Sequence, residues 1–127
     1  MTKPRAIRTQ IAGVPVRVSL VRGEDGECIP AGQGGREYAR ITLGYECGPD
    51  QFWENALHEF VEFAALSMGF RYSRHDVSVV GSDQVFFFMS HDEFTRIAQC
   101  VAPSFVGAVP ALSAAYAQKA YTEKRED

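Results

Sequence analysis

A helix predicted over residues 51–68 is the feature that most constrains the fold of this 127-residue chain. Asp50 follows Gly48-Pro49 as a helix N-cap, and Gly69 stands where a left-handed residue ends a helix. Apolar residues fill two sectors around the predicted helix: Trp53, Leu57, Phe60, Val61, Ala64 and Met68 in one, and Phe52, Ala56 and Phe63 in the other. A helix that is apolar over most of its circumference is predicted to be mostly buried.

Runs of β-branched and aromatic residues predict the strands. They cover residues 11–21, 38–46, 77–80 and 85–89, with the last two forming a hairpin around Gly81-Ser82-Asp83. Pro15 suggests either an edge position or the start of a strand. The glycine-rich segment 22–36 is predicted to be a flexible loop.

The C-terminal third of the chain is predicted to be helical. Ser90 and Glu93 have the spacing of a capping box, so a helix is expected from there to about Cys100. Pro103 interrupts it, and an alanine-rich helix follows from Pro110 to about Tyr121, with a frayed tail at 122–127. The predicted fold class is therefore α+β: one domain over 1–127, with a small antiparallel sheet covered by three helices.

Charge and cysteine content exclude several classes of protein. The 13 basic and 16 acidic residues give a formal charge of −3, and the basic residues do not cluster, so no nucleic-acid partner is expected. No apolar run reaches the length of a membrane span. The cysteines, Cys28, Cys47 and Cys100, are odd in number and lack a CxxC pair, which argues against a disulfide framework. The sequence is thus expected to belong to a protein of a reducing cytoplasm.

A polar strip separates the two apolar sectors of the predicted helix. It contains His58, Glu62, Asn55 and Glu59. Charged groups on a buried helix are costly unless they are paired, hydrogen-bonded or bound to a metal. His58 and Glu62 are four residues apart and therefore neighbours on one helix face, where an imidazole nitrogen and a carboxylate oxygen can each reach one zinc ion.

A third ligand must come from outside this helix, and His75 is the predicted one. Six extended residues after Gly69 span at most about 20 Å, and returning to the level between His58 and Glu62 requires about 13 Å. These residues would form a His2Glu set with an open fourth position, the composition of a catalytic zinc site. His91 is the rival third ligand, although it also fits the first turn of the capped helix.

The role of Glu59 follows from its place after the first ligand. In H-E-x-x-H enzymes, the glutamate at that position is the base for a metal-activated water. Here the second ligand would be the carboxylate of Glu62 instead of a histidine. Glu59 is accordingly the predicted catalytic residue.

The stretch Ala56–Phe63, which carries the H-E-x-x-E motif, followed by His75, resembles small zincin-like proteins encoded by bacteriophages and prophages. The resemblance covers roughly residues 38–100 and implies a minimal metallopeptidase-like fold in which His58, Glu62 and His75 hold zinc and Glu59 is the base. It also implies the host cytoplasm as the location. The chain departs from ordinary zincins because it lacks a second motif histidine and a Met-turn.

Three hypotheses follow. In the first, the protein is a zinc-dependent hydrolase, and a peptide or protein substrate adds as a strand beside residues 38–46. In the second, it is a catalytically inactive phage-type accessory protein that acts by protein–protein binding and keeps a structural or vestigial metal site. In the third there is no metal, and the polar strip forms salt bridges with arginines, namely Arg36, Arg40, Arg71 or Arg74.

Overall fold

The structure, a computed structural model, describes residues 6–29, 38–68, 71–73, 85–87 and 90–126. The strands are β1 (Ile7–Ile11), β2 (Val14–Val21), β3 (Gly26–Ile29), β4 (Ala39–Gly44), β5 (Arg71–Ser73) and β6 (Val85–Phe87), and the helices are α1 (Pro49–Ser67) and α2 (His91–Glu126). The fold is α+β, which confirms the predicted class. Its described part has a four-stranded sheet, a two-stranded sheet and two helices.

The first predicted strand, 11–21, belongs to a hairpin. Ala12 and Gly13 have φ angles of 54° and 76° and form a two-residue turn between β1 and β2. Positive φ at both residues is what a tight turn between twisted antiparallel strands requires. Pro15 is the second residue of β2, and the pairing with β4 begins only at Val16. Its missing N–H therefore removes no bond to β4.

The four-stranded sheet has the order β1-β2-β4-β3 and is mixed. β1 and β3 are antiparallel to their neighbours, whereas β2 and β4 run parallel from Val16↔Ala39 to Val21↔Gly44. The prediction of a purely antiparallel sheet is therefore wrong. The segment 22–36 was predicted to be a loop, but its residues 26–29 form β3, which is antiparallel to β4. β4 therefore lies between β2 and β3 and runs parallel to β2.

A tight turn at residues 22–25 sets the position of β3. Gly44 lies so close to this turn that a Cβ at Gly44 would be 2.4 Å from the Gly23 oxygen and 2.8 Å from the Glu24 nitrogen. The Glu46 carboxylate accepts the Gly23 N–H at 2.6 Å, and the Asn55 side-chain amide donates to the Glu24 carbonyl at 2.8 Å. The turn is thus fixed both to the end of β4 and to α1.

α1 begins two residues earlier than predicted. Gly48 is its N-cap and makes no side-chain capping bond, while Pro49 occupies the first helical position. Proline suits that position because its fixed φ is helical and its missing N–H would have no partner there. Asp50, predicted to be the N-cap, lies instead in the first turn, where its charge favours the helix dipole.

α2 is one continuous helix where two were predicted. Its start is as expected, since Ser90 Oγ accepts the Glu93 N–H at 3.2 Å and Glu93 Oε1 accepts the Ser90 N–H at 3.1 Å. Pro103 and Pro110 both lie inside it. Each proline removes one hydrogen bond, to the carbonyl of Gln99 or Val106, and both of these residues are exposed, so water can replace the lost donor.

The continuity of α2 has a second consequence. The part of α2 from His91 to Lys119 is long and apolar enough to cross a membrane. An 18-residue window within it has a mean hydropathy of 1.5, and 22% of that window is buried. The expectation that no apolar run reaches the length of a membrane span is therefore wrong on length and composition. A helix that covers a protein core meets the same criterion, and in this structure α2 does cover the sheet.

The core lies between one face of the four-stranded sheet and the two helices. Its buried residues are Ile11, Val16, Val18, Ala39, Ile41 and Leu43 from the sheet, Phe52, Ala56, Phe60, Phe63, Ala64 and Ala65 from α1, and Ile97, Val101, Ala108 and Leu112 from α2. The two helices meet through aromatic contacts: Phe52 stacks on Tyr116 at 4.4 Å between centroids, and Phe60 meets Phe105 edge-on at 5.3 Å.

The predicted hairpin of 77–80 and 85–89 is recovered only in part. β6 lies at Val85–Phe87, and its partner among the described residues is β5, with Tyr72 opposite Phe86. Residues 77–80 lie outside the described residues. The predicted frayed tail also differs, because α2 continues to Glu126.

Candidate metal centre

α1 is amphipathic, and its buried face differs from the predicted one. The buried residues are Phe52, Ala56, Glu59, Phe60, Phe63, Ala64 and Ala65. Leu57, taken as the centre of the core-facing sector, is 47% exposed, and Val61 is 37% exposed. The prediction of a mostly buried helix is therefore wrong: the sheet and α2 cover one side of it, and the polar strip lies along the border of that side.

His58 and Glu62 lie next to each other on this border, as their spacing predicts. His58 Nε2 is 3.1 Å from Glu62 Oε2. The His58 side chain is 67% exposed, whereas that of Glu62 is 18% exposed. An accessible imidazole beside a mostly covered carboxylate leaves room for a ligand to approach from solvent.

Glu59 is buried, with 6% of its surface exposed, and it packs against β3, which lies at the end of the described sheet. At Gly26, a Cβ would be 2.9 Å from Glu59 Cγ and 3.2 Å from Oε1. Since contacts this short are not tolerated, the absence of a side chain at Gly26 is what admits the Glu59 carboxyl group beneath β3. This close approach explains a glycine inside a short strand.

The surroundings of Glu59 raise its pKa above the ordinary value. Burial is the largest cause, and the nearby negative charge of Glu62 adds to it. Attraction to His58 and a hydrogen bond with Cys28 act in the opposite direction, and the Glu27 charge adds a smaller increase. A raised pKa and a partly enclosed position are features of carboxyl groups that act as general bases or acids.

A cluster of three possible ligands forms where α1 meets β3. One ligand atom from each of Cys28, Glu59 and Glu62 lies within 4.8 Å of the others. The sequence reasoning missed Cys28, because it placed residues 22–36 in a loop. The available signal was weak: a single β-branched residue, Ile29, after Gly26, Glu27 and Cys28.

The donor set fits a zinc ion in part. Two ligands bound at 2.0–2.2 Å and at a tetrahedral angle lie about 3.3–3.5 Å apart, and the 3.1 Å between His58 Nε2 and Glu62 Oε2 is close to this. Thiolate, imidazole and carboxylate are all zinc ligands. Among the described residues, the cluster that could hold a metal ion is Cys28, Glu59 and Glu62. His58 is not part of that cluster, and its described contact is the ion pair with Glu62.

The other residues of the sequence hypotheses have different positions. His75 lies outside the described residues. His91 is exposed at the first turn of α2, and it is not part of the Cys28 cluster. Arg40, one of the arginines proposed to neutralise the polar strip, instead contacts Tyr38, and Arg36 and Arg74 lie outside the described residues.

Comparison with known proteins gives no relative: no protein-family model, no curated protein and no solved structure matches the chain. The class that the fold and the cluster define is thus an α+β domain with a candidate metal centre on α1 and β3.

We predict that Glu59→Gln stabilises the metal-free protein at neutral pH by about 1 kcal/mol, since it removes a buried charge. The folded state holds the Glu59 proton more tightly than the unfolded state, in which the pKa is about 4.3. The wild type therefore loses stability as pH rises from that value through the raised pKa, and the variant lacks this loss. Urea unfolding with EDTA between pH 4 and 8 measures the difference, and a difference that does not grow with pH would contradict the prediction.

Proposed function

We propose that this protein is a zinc-dependent, metallopeptidase-like hydrolase. The observation that carries the proposal is the placement of His58, Glu62 and the buried Glu59 at one border of α1, next to the edge strand β3. His58 and Glu62 are the helix ligands. His75 is the third ligand proposed from the sequence. Cys28 is the alternative, because it lies within 4.8 Å of Glu59 and Glu62.

Zinc bound by these residues would polarise a peptide carbonyl and lower the pKa of a water molecule. Glu59 would accept a proton from that water at its carboxylate and return it to the leaving amine. Glu62 would bind the metal through its carboxylate. The contact with Gly26 limits the movement of the Glu59 side chain.

The substrate strand requires a correction. Residues 38–46 were expected to pair with an extended peptide, but β4 lies between β2 and β3 and is paired on both sides. The strand beside the candidate centre is β3, at the end of the described sheet. An extended peptide that adds to the outer edge of β3 would pass Cys28 and the carboxyl groups of α1.

The decisive experiment combines zinc content with cleavage of an unfolded protein such as casein. Wild-type protein is expected to contain about one zinc per chain and to cleave the substrate in a chelator-sensitive manner. Glu59→Gln is expected to retain zinc and lose at least about 100-fold in activity, as expected for loss of a general base. Absence of zinc from the wild type would overturn the metal site, and full activity in Glu59→Gln would overturn the assigned base.

The second candidate is a zinc-binding accessory protein without catalysis, which acts by protein–protein binding. The observation that favours it is the surface of α2, which carries no charged residue from 97 to 118 and exposes Val106 at 67%. Stoichiometric zinc together with no cleavage by the wild type would support this candidate over the hydrolase.

A further inference from the structure

Three arginines lie side by side on the face of the four-stranded sheet that is opposite the core. Arg8 of β1 is in register with Arg17 of β2, and Arg17 is in register with Arg40 of β4. The chain neighbours of Arg17 and Arg40 are buried in the core. Because successive side chains alternate between the faces of a strand, these arginines point away from the helices. We call Arg8, Arg17 and Arg40 the arginine row.

The arginine row is an electrostatic cost to the fold. Like charges on directly opposite positions of neighbouring strands destabilise a sheet, and three of them stand in one line here. Over residues 6–29, 38–68 and 90–119, the recorded ion pairs are Arg22–Glu46 and His58–Glu62, and neither involves the row. The protein therefore maintains three adjacent positive charges without a described acidic partner.

Tyr38 holds two members of the row in place. The Arg17 guanidinium lies 3.7 Å from the centroid of the Tyr38 ring, and Arg40 Nη2 donates to the Tyr38 hydroxyl at 3.4 Å. The hydrogen bond from Arg40, followed by the charge of Arg17, lowers the pKa of Tyr38. The two guanidinium groups are thus arranged around one aromatic ring instead of extending separately into solvent.

Arg40 also has an unmet hydrogen-bonding requirement. Its Nε is buried and has no acceptor among the residues that the structure describes. A buried donor of a charged group that lacks an acceptor is costly. Together with the three charges, this donor indicates that an oxygen-rich anion belongs at this position.

We propose that the arginine row binds a phosphate-bearing anion on the sheet face opposite the candidate metal centre. A phosphate group carries up to two negative charges and three acceptor oxygens, so it can accept hydrogen bonds from several guanidinium groups at once. A carboxylate carries only one charge. Guanidinium forks match phosphate oxygens in a bidentate manner. The net charge of −3 argues against a nucleic-acid strand as the source of the phosphate. The ligand is a small molecule with phosphates in a line.

The experiment titrates the full-length protein with sodium tripolyphosphate by calorimetry at low ionic strength. One molecule per chain is expected to bind, with affinity that falls as salt is added. Arg17→Gln is expected to weaken binding by at least about 10-fold. Arg40→Lys keeps the charge but removes Nε and the fork, and it is expected to weaken binding by a similar factor. Arg96→Gln, an exposed residue of α2, is the control for net charge and is expected to leave binding unchanged.

Comparison ligands test the chemistry of the row. Inorganic phosphate is expected to bind more weakly than tripolyphosphate and at the same residues. Equal affinity for citrate would show that the row does not select phosphate groups. Tighter binding of a single-stranded oligonucleotide than of tripolyphosphate would show that the ligand is a nucleic acid and not a small molecule. Absence of saturable binding, or equal weakening by Arg96→Gln, would overturn the site itself.

Discussion

Replacing His58 with alanine is expected to remove bound zinc from the purified protein, with a fall in zinc affinity of at least about 100-fold. The reason is geometric: His58 Nε2 and Glu62 Oε2 are 3.1 Å apart, so both would bind the same zinc ion. Without the imidazole, only the Glu62 carboxylate of this pair remains. Glu62→Gln is expected to have the same effect, since the neutral amide is a poor ligand. Elemental analysis and competition with a chromophoric chelator measure both losses.

The matched control for these variants is Glu54→Gln. Glu54 is exposed on the same side of α1 and lines the same shallow surface cavity as Leu57, His58 and Val61, so it tests the effect of removing charge from this face. Zinc content is expected to remain at the wild-type value. If His58→Ala and Glu62→Gln both retain zinc as tightly as Glu54→Gln does, the helix ligands are wrongly assigned.

The same measurement decides between the candidates for the third ligand. If His75→Ala loses zinc and Cys28→Ser retains it, the set read from the sequence is correct. The opposite result assigns Cys28, as its position within 4.8 Å of the carboxylates suggests. In that event Glu59, which belongs to the same cluster as Cys28, would itself be a candidate ligand.

Gly44→Ala is expected to destabilise the protein by about 3 kcal/mol. The added Cβ would lie 2.4 Å from the Gly23 oxygen and 2.6 Å from the Gly23 carbonyl carbon. These are backbone atoms of a turn that is held by the hydrogen bond from Gly44 N–H to the Asp25 carbonyl at 2.9 Å, so they cannot move without loss of that bond. Urea unfolding monitored by circular dichroism measures the change.

Gly107→Ala is the control for this prediction. Gly107 lies inside α2, and a Cβ there would meet nothing within 4 Å. The substitution is expected to stabilise the protein by up to about 1 kcal/mol, since alanine is the better helix former. Equal unfolding midpoints for Gly44→Ala and the wild type would show that the turn at 22–25 is not held as the structure describes.

The sequence predicted α1 well because its signals are local. The N-cap predicted at Asp50 and the apolar periodicity mark the start of the helix to within two residues. The i, i+4 spacing correctly brings His58 and Glu62 together. The buried side of the helix was not predictable from its composition. Leu57 and Val61 are apolar yet partly exposed, because the side that is covered depends on where the sheet and α2 lie.

Strand pairing depended on contacts between distant residues. The segment 26–29 is short and begins with a glycine, so its sequence predicts a loop. Only its pairing with β4 makes it a strand. The two prolines of α2 suggested a break, but packing of Ile97, Val101 and Leu112 against the core maintains the helix through both. Local preferences of this size are overridden by tertiary packing.

By itself, the sequence determined the α+β class, the position of α1 and the neighbouring placement of one imidazole and two carboxyl groups, because hydrogen bonds and side-chain spacing within a helix depend on residues a few positions apart. Only the tertiary structure decided that Glu59 is buried against Gly26, that Cys28 lies beside it and that three arginines share one sheet face. These facts depend on strand order and register, which are set by burying the common core and not by any single segment.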